Sequence, residues 1–276
     1  MSATVDTQHA QVGCSLTFTV SATAGFALGI AAAYREGRTF SEVLRIVADG
    51  RPVVPREIVG PDGNRRHLFD APAGELAIWY EATIADTRET PAAVTDWERI
   101  TALLPSRYCP ADRLTGFAQS HFGRLDSHVD RVRAICDYAF ENLEYAPGSG
   151  PTTDAVDTLL DGRGVCRDYA HLVATLCRAV DVPARVAAVY APGLSPMDFH
   201  AVAETAVDGR WLVWDATRLA PRQSLIRIST GRDAADTAFA TVLSGQAELD
   251  AIEITALTLG GADLPLDDHR GAITLH

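Results

Sequence analysis

Two periods organise this chain. From Cys166 onward, Tyr169, Ala170, Val173 and Cys177 recur three and four residues apart, and Leu172, Leu176 and Val180 widen the same stripe. That spacing predicts an amphipathic helix with a buried apolar face. Gly162 and Gly164 allow a tight turn into it, and Val182-Pro183 marks its end. Period two dominates the first third of the chain. Residues 16–20 alternate, residues 43–47 read as a strand ending at Asp49-Gly50, and residues 76–84 form a third run after Ala73-Gly74. Pro52, Pro55, Pro61-Asp62-Gly63-Asn64 and Pro72 punctuate these runs as turns. Short strands so spaced predict a small antiparallel, β-sandwich-like domain over residues 1–90.

Helical spacing returns further on. Asp112 is placed to cap a helix reaching about Phe122. Asp126 or Ser127 can cap a second, with Val129, Val132, Ile135, Cys136, Ala139 and Leu143 on one face. Residues 85–96 read as a linker, and residues 145–151 as a Gly/Pro loop that could wall a cleft. Thr153 or Asp154 caps a short helix ending near Leu160. Past residue 215 the pattern offers a short strand at 225–228, an alternating edge strand at 251–259, and a polar tail expected to be loose. Mixed helices and antiparallel strands make this an α+β chain.

Asp208-Gly209 separates the apolar runs 199–207 and 210–215, the strongest short-range hairpin signal available. A two-residue turn there pairs Val207 with Arg210 and sets Val202 opposite Asp215. His200 then lies one diagonal step from Asp215 on the same face, about 7–8 Å away at Cα and within side-chain reach. Cys166 falls in the first turn of its helix, where unpaired N–H groups and the helix dipole favour a thiolate. A helix-start thiol, a strand histidine and an aspartate able to orient it are the parts of covalent acyl transfer. Each also has an ordinary explanation, as core cysteine, satisfied strand histidine or hairpin-end aspartate. Together they make Cys166, His200 and Asp215 the candidate catalytic residues. An oxyanion would be met by the backbone N–H of Cys166 and a second donor, for which Tyr108 and Tyr145 are both candidates.

Other polar residues read as structural. His67, beside Arg65, Arg66 and Asp70, fits a solvated turn, and Arg113, Arg124, Arg131 and Arg133 fit a solvated helix face. His121 and His128 have no ligand spacing to Cys136, so no metal or cofactor site is expected. Five cysteines, an odd number without Cys-x-x-Cys spacing, argue against a disulfide framework and for a reducing, cytoplasmic setting. Residues 1–11 lack the basic and apolar regions of a leader, and residues 22–33 are too short to span a membrane. A net charge of −12 disfavours nucleic acid or an anionic membrane as the main partner. All 24 basic residues are arginine, so the chain cannot offer its own side chains as amine acceptors.

The stretches Gly164-Val165-Cys166-Arg167-Asp168-Tyr169-Ala170-His171-Leu172, Phe199-His200-Ala201 and Trp214-Asp215-Ala216-Thr217 resemble the bacterial transglutaminase-like superfamily. The likeness extends over roughly residues 107–241, including Pro105-Ser106-Arg107-Tyr108-Cys109 and the run 230–236. It implies a papain-like core, a nucleophile helix packed on an antiparallel sheet, over residues 97–245. The β-rich domain precedes that core, and an edge strand and tail over residues 246–276 follow it. The family's catalytic Cys, His and Asp fall on Cys166, His200 and Asp215. The implied activity is thioester-mediated hydrolysis or transfer of a peptide or protein amide, without cofactor or metal. Where the family usually has Trp after the His-Ala pair, this chain has Val202, at a position that shapes the acyl site in the family. That departure supports an alternative, a catalytically silent module that keeps the fold for binding.

Overall fold

Period two does produce strands, and they run longer than the alternating stretches alone. The computed structural model describes residues 7–35, 38–87, 93–260 and 264–275. Strand β1 (Thr7–Leu28) takes in the predicted run and buries Ala10, Val12, Cys14, Leu16, Phe18 and Val20 on one face. It is followed by β2 (Arg38–Ala48), β3 (Arg51–Val53), β4 (Arg56–Val59), β5 (Arg65–Ala71) and β6 (Gly74–Thr87). These pair in the order β3-β2-β6-β1-β5-β4. His67 corrects one sequence expectation: it lies buried on β5, its Nε2 3.5 Å from Glu57, beside a buried Arg65 that binds Glu42 and Glu57. The clustered charges are an internal ion network, not a solvated turn.

The segment expected as a linker lies in part outside the described residues. Its end is tied down: the Val94 N–H donates to Gly209 O at 2.9 Å, and Thr95 with Glu98 forms a capping box for α1 (Asp96–Thr101). Helix α2 (Ala111–Phe122) starts one residue before Asp112, so that residue sits inside the first turn and Pro110 holds the cap position. Ser127 caps α3 (His128–Asn142) by accepting the Asp130 N–H. A two-residue strand β7 (Glu144–Tyr145) and the helix α4 (Ala155–Asp161), capped by Asp154, lead to β8 (Arg163–Gly164).

Helix α5 (Cys166–Ala179) follows at once, with all residues from Asp168 to Ala179 buried. It packs on a four-stranded antiparallel sheet of order β11-β10-β9-β12. The members are β9 (Ala184–Tyr190), β10 (Phe199–Val207), β11 (Arg210–Trp214) and β12 (Ile226–Gly231). Leu172, Leu176, Val186, Ala203 and Trp214 belong to the core between helix and sheet. Each large apolar side chain so buried contributes roughly 1.5–3 kcal/mol. Tyr190, Ile226 and Ile228 join the core of the N-terminal sheet, which fastens the two sheets together.

The chain ends differently from the sequence expectation. After the short α6 (Ala234–Thr237), strand β13 (Ala240–Thr258) begins well before the alternating run and pairs with β1 along almost its whole length. Register shifts near Phe18, Ala22 and Gly25 break its local alternation, which is why its length was not readable. Nor is the tail loose. The Val213 N–H donates to Ile273 O at 2.7 Å, Leu275 is buried, and a buried Arg222 grips Asp267 through two nitrogens at 2.8 Å. No helix among the described residues is long and apolar enough to cross a membrane.

Candidate active site

The site is built where α5 begins. Gly164 is needed there by space: a Cβ on it would stand 2.6 Å from Cβ of Asp168 and 2.9 Å from its Oδ2. Asp168, with no exposed surface, accepts the Val165 N–H on Oδ2 at 2.8 Å and so fixes the residue before Cys166. Its Oδ1 lies 3.4 Å from Arg167, whose guanidinium also donates to Gly150 O at 2.9 Å and Ser149 at 3.3 Å. The Gly/Pro loop is thereby held against the helix start. Sequence reading did not single out Asp168 or Arg167.

The hairpin supplies the second part. Asp208 (φ 50°) and Gly209 (φ 74°) both take the left-handed conformation, and Val207 pairs with Arg210 as the Asp-Gly turn predicts. The pairing continues to Ala203 opposite Trp214, leaving Asp215 one residue beyond the strand. There its Oδ2 lies 2.9 Å from Nε2 of His200, with both side chains buried. Oδ1 accepts the Thr217 hydroxyl at 2.7 Å and the Thr217 N–H at 3.0 Å. Thr217 thus holds the carboxylate, a role for the end of the Trp-Asp-Ala-Thr stretch that the sequence alone did not assign.

Electrostatics follow from this geometry. Burial pushes the His200 imidazole down, but the charge and hydrogen bond of Asp215, with the Cys166 thiol beside it, outweigh that and hold it up at about 10. Burial likewise pushes Asp215 up, yet His200 and Thr217 bring it below the ordinary carboxylate range. His200 Nδ1 is buried without a hydrogen bond of normal geometry. It is the nitrogen left over to face the thiol, which lies 3.9 Å from Phe199 O on the same strand. Cys166 is half-buried, whereas burial raises Cys14 and Cys136 to about 12 and Cys109 to about 11, and pushes Cys177 well above its ordinary value. All five are free thiols. Only Cys166 is open to a reagent and adjoins a base.

The two tyrosine candidates separate. Tyr108 is occupied: its hydroxyl donates to Pro151 O at 2.8 Å, its N–H to Asp233 at 2.9 Å, and its ring stacks on His171 at 5.2 Å. His171 in turn accepts the Ala234 N–H at 3.0 Å, and burial holds its pKa down at about 4. The stretches 105–109 and 230–236 therefore clasp the middle of α5. Tyr145 pairs with Gly164 beside the turn into α5, and its ring is 47% exposed there.

Val202 does not line the site. It is 1% exposed, in a core with Ala187, Val189, Leu194, Val213, Leu225 and Leu275. The position that the family resemblance made a shaper of the acyl site is a packing position here. Two concavities also lie elsewhere: one of about 690 Å³ over β1, β2 and β6, around Trp79 and Arg45, and one of about 370 Å³ near Trp97 and Arg185. Among the described residues no three His, Cys, Asp or Glu side chains are grouped to hold a metal ion.

A family model described as "Transglutaminase-like superfamily" matches residues 115–216, a span that includes Cys166, His200 and Asp215. A solved structure from Cytophaga hutchinsonii, named as a candidate cysteine protease, is 31% identical with a TM-score of 0.88, covering 97% of this chain and 96% of that one. An uncharacterized protein of Mycobacterium leprae is 28% identical over 172 residues. That match takes in 56% of this chain and 60% of the relative's own length.

Proposed function

The chain belongs to the transglutaminase-like superfamily, and from that premise we propose that it is a thiol-dependent amidase or peptidase working through Cys166, His200 and Asp215. One observation carries the reading. A solvent-reachable thiol at a helix start adjoins a buried imidazole whose far nitrogen is fixed by a buried carboxylate 2.9 Å away. The relative named as a candidate cysteine protease, alike over nearly its whole length, supports the same class of chemistry.

In this mechanism the thiol proton resides on His200, whose affinity for it Asp215 raises. The Cys166 sulfur attacks the amide carbon, and the carbonyl electron pair moves to oxygen. Return of that pair expels the amine, which takes its proton from His200, and leaves a thioester. Water, losing a proton to His200, then attacks the thioester and releases the acid with regeneration of the thiol. Asp215 stays ionised throughout and keeps the imidazole in the orientation that presents Nδ1 to sulfur.

Intact-protein mass spectrometry after exposure to small acyl esters and glutamine-containing peptides tests the reading. An acyl adduct on wild-type protein, absent from Cys166→Ala and cleared by water, is the expected result. Adducts that clear only when a primary amine is added would make the protein a transferase. A folded wild type that never forms one would refute acyl chemistry.

A further inference from the structure

We propose that the outer face of the N-terminal sheet binds a neutral glycan, seated on the Trp79 indole in the concavity of about 690 Å³ over β1, β2 and β6. The inference is independent of the acyl-transfer reading and gives that sheet a ligand of its own.

Register lays the site out. On the outer face, one row across β2, β6, β1 and β13 reads Val43, Glu81, Gly13 and Thr255, and the next reads Arg45, Trp79, Ser15 and Glu253. Neighbouring strands lie about 4.8 Å apart and same-face residues about 6.6 Å apart, so these positions form one patch around the indole. Tyr80, the next residue on β6, is buried in the core, and the alternation turns Trp79 outward, where it is 45% exposed. Beside it β1 offers only small side chains. Gly13 is fixed by a close backbone approach, since a Cβ there would stand 2.5 Å from Tyr80 O. A trough therefore runs along β1, with Trp79 and Glu81 on one side and Glu253 and Thr255 on the other.

The polar fringe is of both kinds. Arg45 only donates and the two glutamates only accept, while Gln11, which donates to Glu81 at 2.8 Å, Ser15 and Thr255 can do either. Among the described residues, none holds the Arg45 guanidinium, the Glu253 carboxylate or the Trp79 indole N–H by a hydrogen bond or ion pair. A pyranose ring carries C–H groups on its faces and hydroxyls, each both donor and acceptor, around its rim. The faces suit an indole plane, and the rim suits a mixed fringe. Other occupants fit less well. An extended peptide needs free ladder groups, yet at these residues β1 is paired with β6 and β13, and β6 with β1 and β2. An anionic polymer would meet two carboxylates against one guanidinium, on a chain of net charge −12. The inner face of the same strands packs on Tyr190 and Phe199. A glycan on the outer face is thus held away from Cys166, where it anchors the chain and takes no part in the chemistry.

Isothermal titration of the full chain with cellohexaose, maltohexaose and N-acetylchitohexaose tests the proposal. Saturable binding of at least one is expected. Trp79→Ala should weaken it about tenfold or more, as loss of a central aromatic anchor does, and Arg45→Ala by about tenfold. Both side chains stand on the outer face, clear of the core, so Cys166 in each variant should react with iodoacetamide at the wild-type rate. If Trp79→Ala disturbs that rate, Arg45→Ala alone decides. Cys166→Ala should bind the sugar as wild type does, so failure of the acyl chemistry leaves this outcome untouched. No binding of any of these sugars, or binding that both substitutions leave unchanged, overturns the proposal. So does sedimentation in which wild type dimerises and Trp79→Ala does not, since the face then covers a second copy of the chain.

Discussion

His200 Nε2 and Asp215 Oδ2 are 2.9 Å apart, and neither side chain is open to water. Such a pair writes itself into the pH dependence of stability. His200 titrates at about 10 when folded, against an ordinary value of 6.5, so its stabilising contribution is full below about 6.5 and disappears as pH rises through about 10. Asp215 is shifted the other way, so its contribution is present above its ordinary value of 3.8 and is lost as pH falls through its lowered one. Thermal midpoints of wild type and Asp215→Asn should therefore differ most between about pH 4 and 6.5 and converge above about 10. A difference that does not change with pH would show that the two groups do not titrate as a pair.

Asp168 offers a test of the helix start. Replacing it with Ala strands the Val165 N–H and removes the carboxylate beside Arg167. An unsatisfied buried donor costs about 1–3 kcal/mol. The turn that presents Cys166 also loosens. Asp168→Ala is expected to lower the unfolding midpoint and, in the remaining folded protein, to slow iodoacetamide alkylation of Cys166. Loss of stability with an unaltered alkylation rate would limit Asp168 to a cap.

How far the sequence could be read depends on whether a feature is local. The Asp208-Gly209 turn fixes register by itself, so the approach of His200 to Asp215 followed from counting residues. Cys166 at a helix start was likewise readable from a three-four spacing. What escaped depends on partners far away in the chain. Strand β13 is long because β1 is long, Arg222 is buried because Asp267 returns to it, and His67 is internal because Glu57 lies across the strand pair. Tyr108 and Tyr145 were equivalent as letters. The pairing of Tyr145 with Gly164 sets one of them beside the turn into α5, and Asp233 and Pro151 hold the other.

The far end of the same sheet holds a buried charge cluster whose cost can be measured. Glu204, with no exposed surface, accepts Arg185 Nε at 2.7 Å and also binds Arg227. Arg185 further lies 3.9 Å above the Trp211 ring and 3.1 Å from Asp62. Removing one member of a buried pair typically destabilises by about 3–5 kcal/mol, because the other charge stays behind. Glu204→Gln should fall at the lower end of that range, since an amide still accepts a hydrogen bond, and Glu204→Leu at the upper. Urea unfolding checks both. A loss below about 1 kcal/mol in each would mean that water enters the cluster.

Val202 decides whether the departure from the family pattern concerns catalysis or packing. In this chain the side chain is 1% exposed, and its cluster is closed from outside by Leu275 and Ile273 of the docked tail. Restoring the bulky residue by Val202→Trp must therefore overfill a packed core, at a typical cost of about 1–3 kcal/mol. The displacement should fall on the tail first, because residues 264–275 cross the cluster as a single segment held by Arg222 and by Val213. Limited proteolysis should then cut that segment faster than in wild type, with a lowered thermal midpoint. The opposite pattern, normal stability and tail protection with an altered choice among acyl donors, would return Val202 to the acyl site. In the packing case, tryptophan at this position and a docked tail exclude each other, and a Val202→Trp chain shortened after residue 263 should regain part of the lost stability.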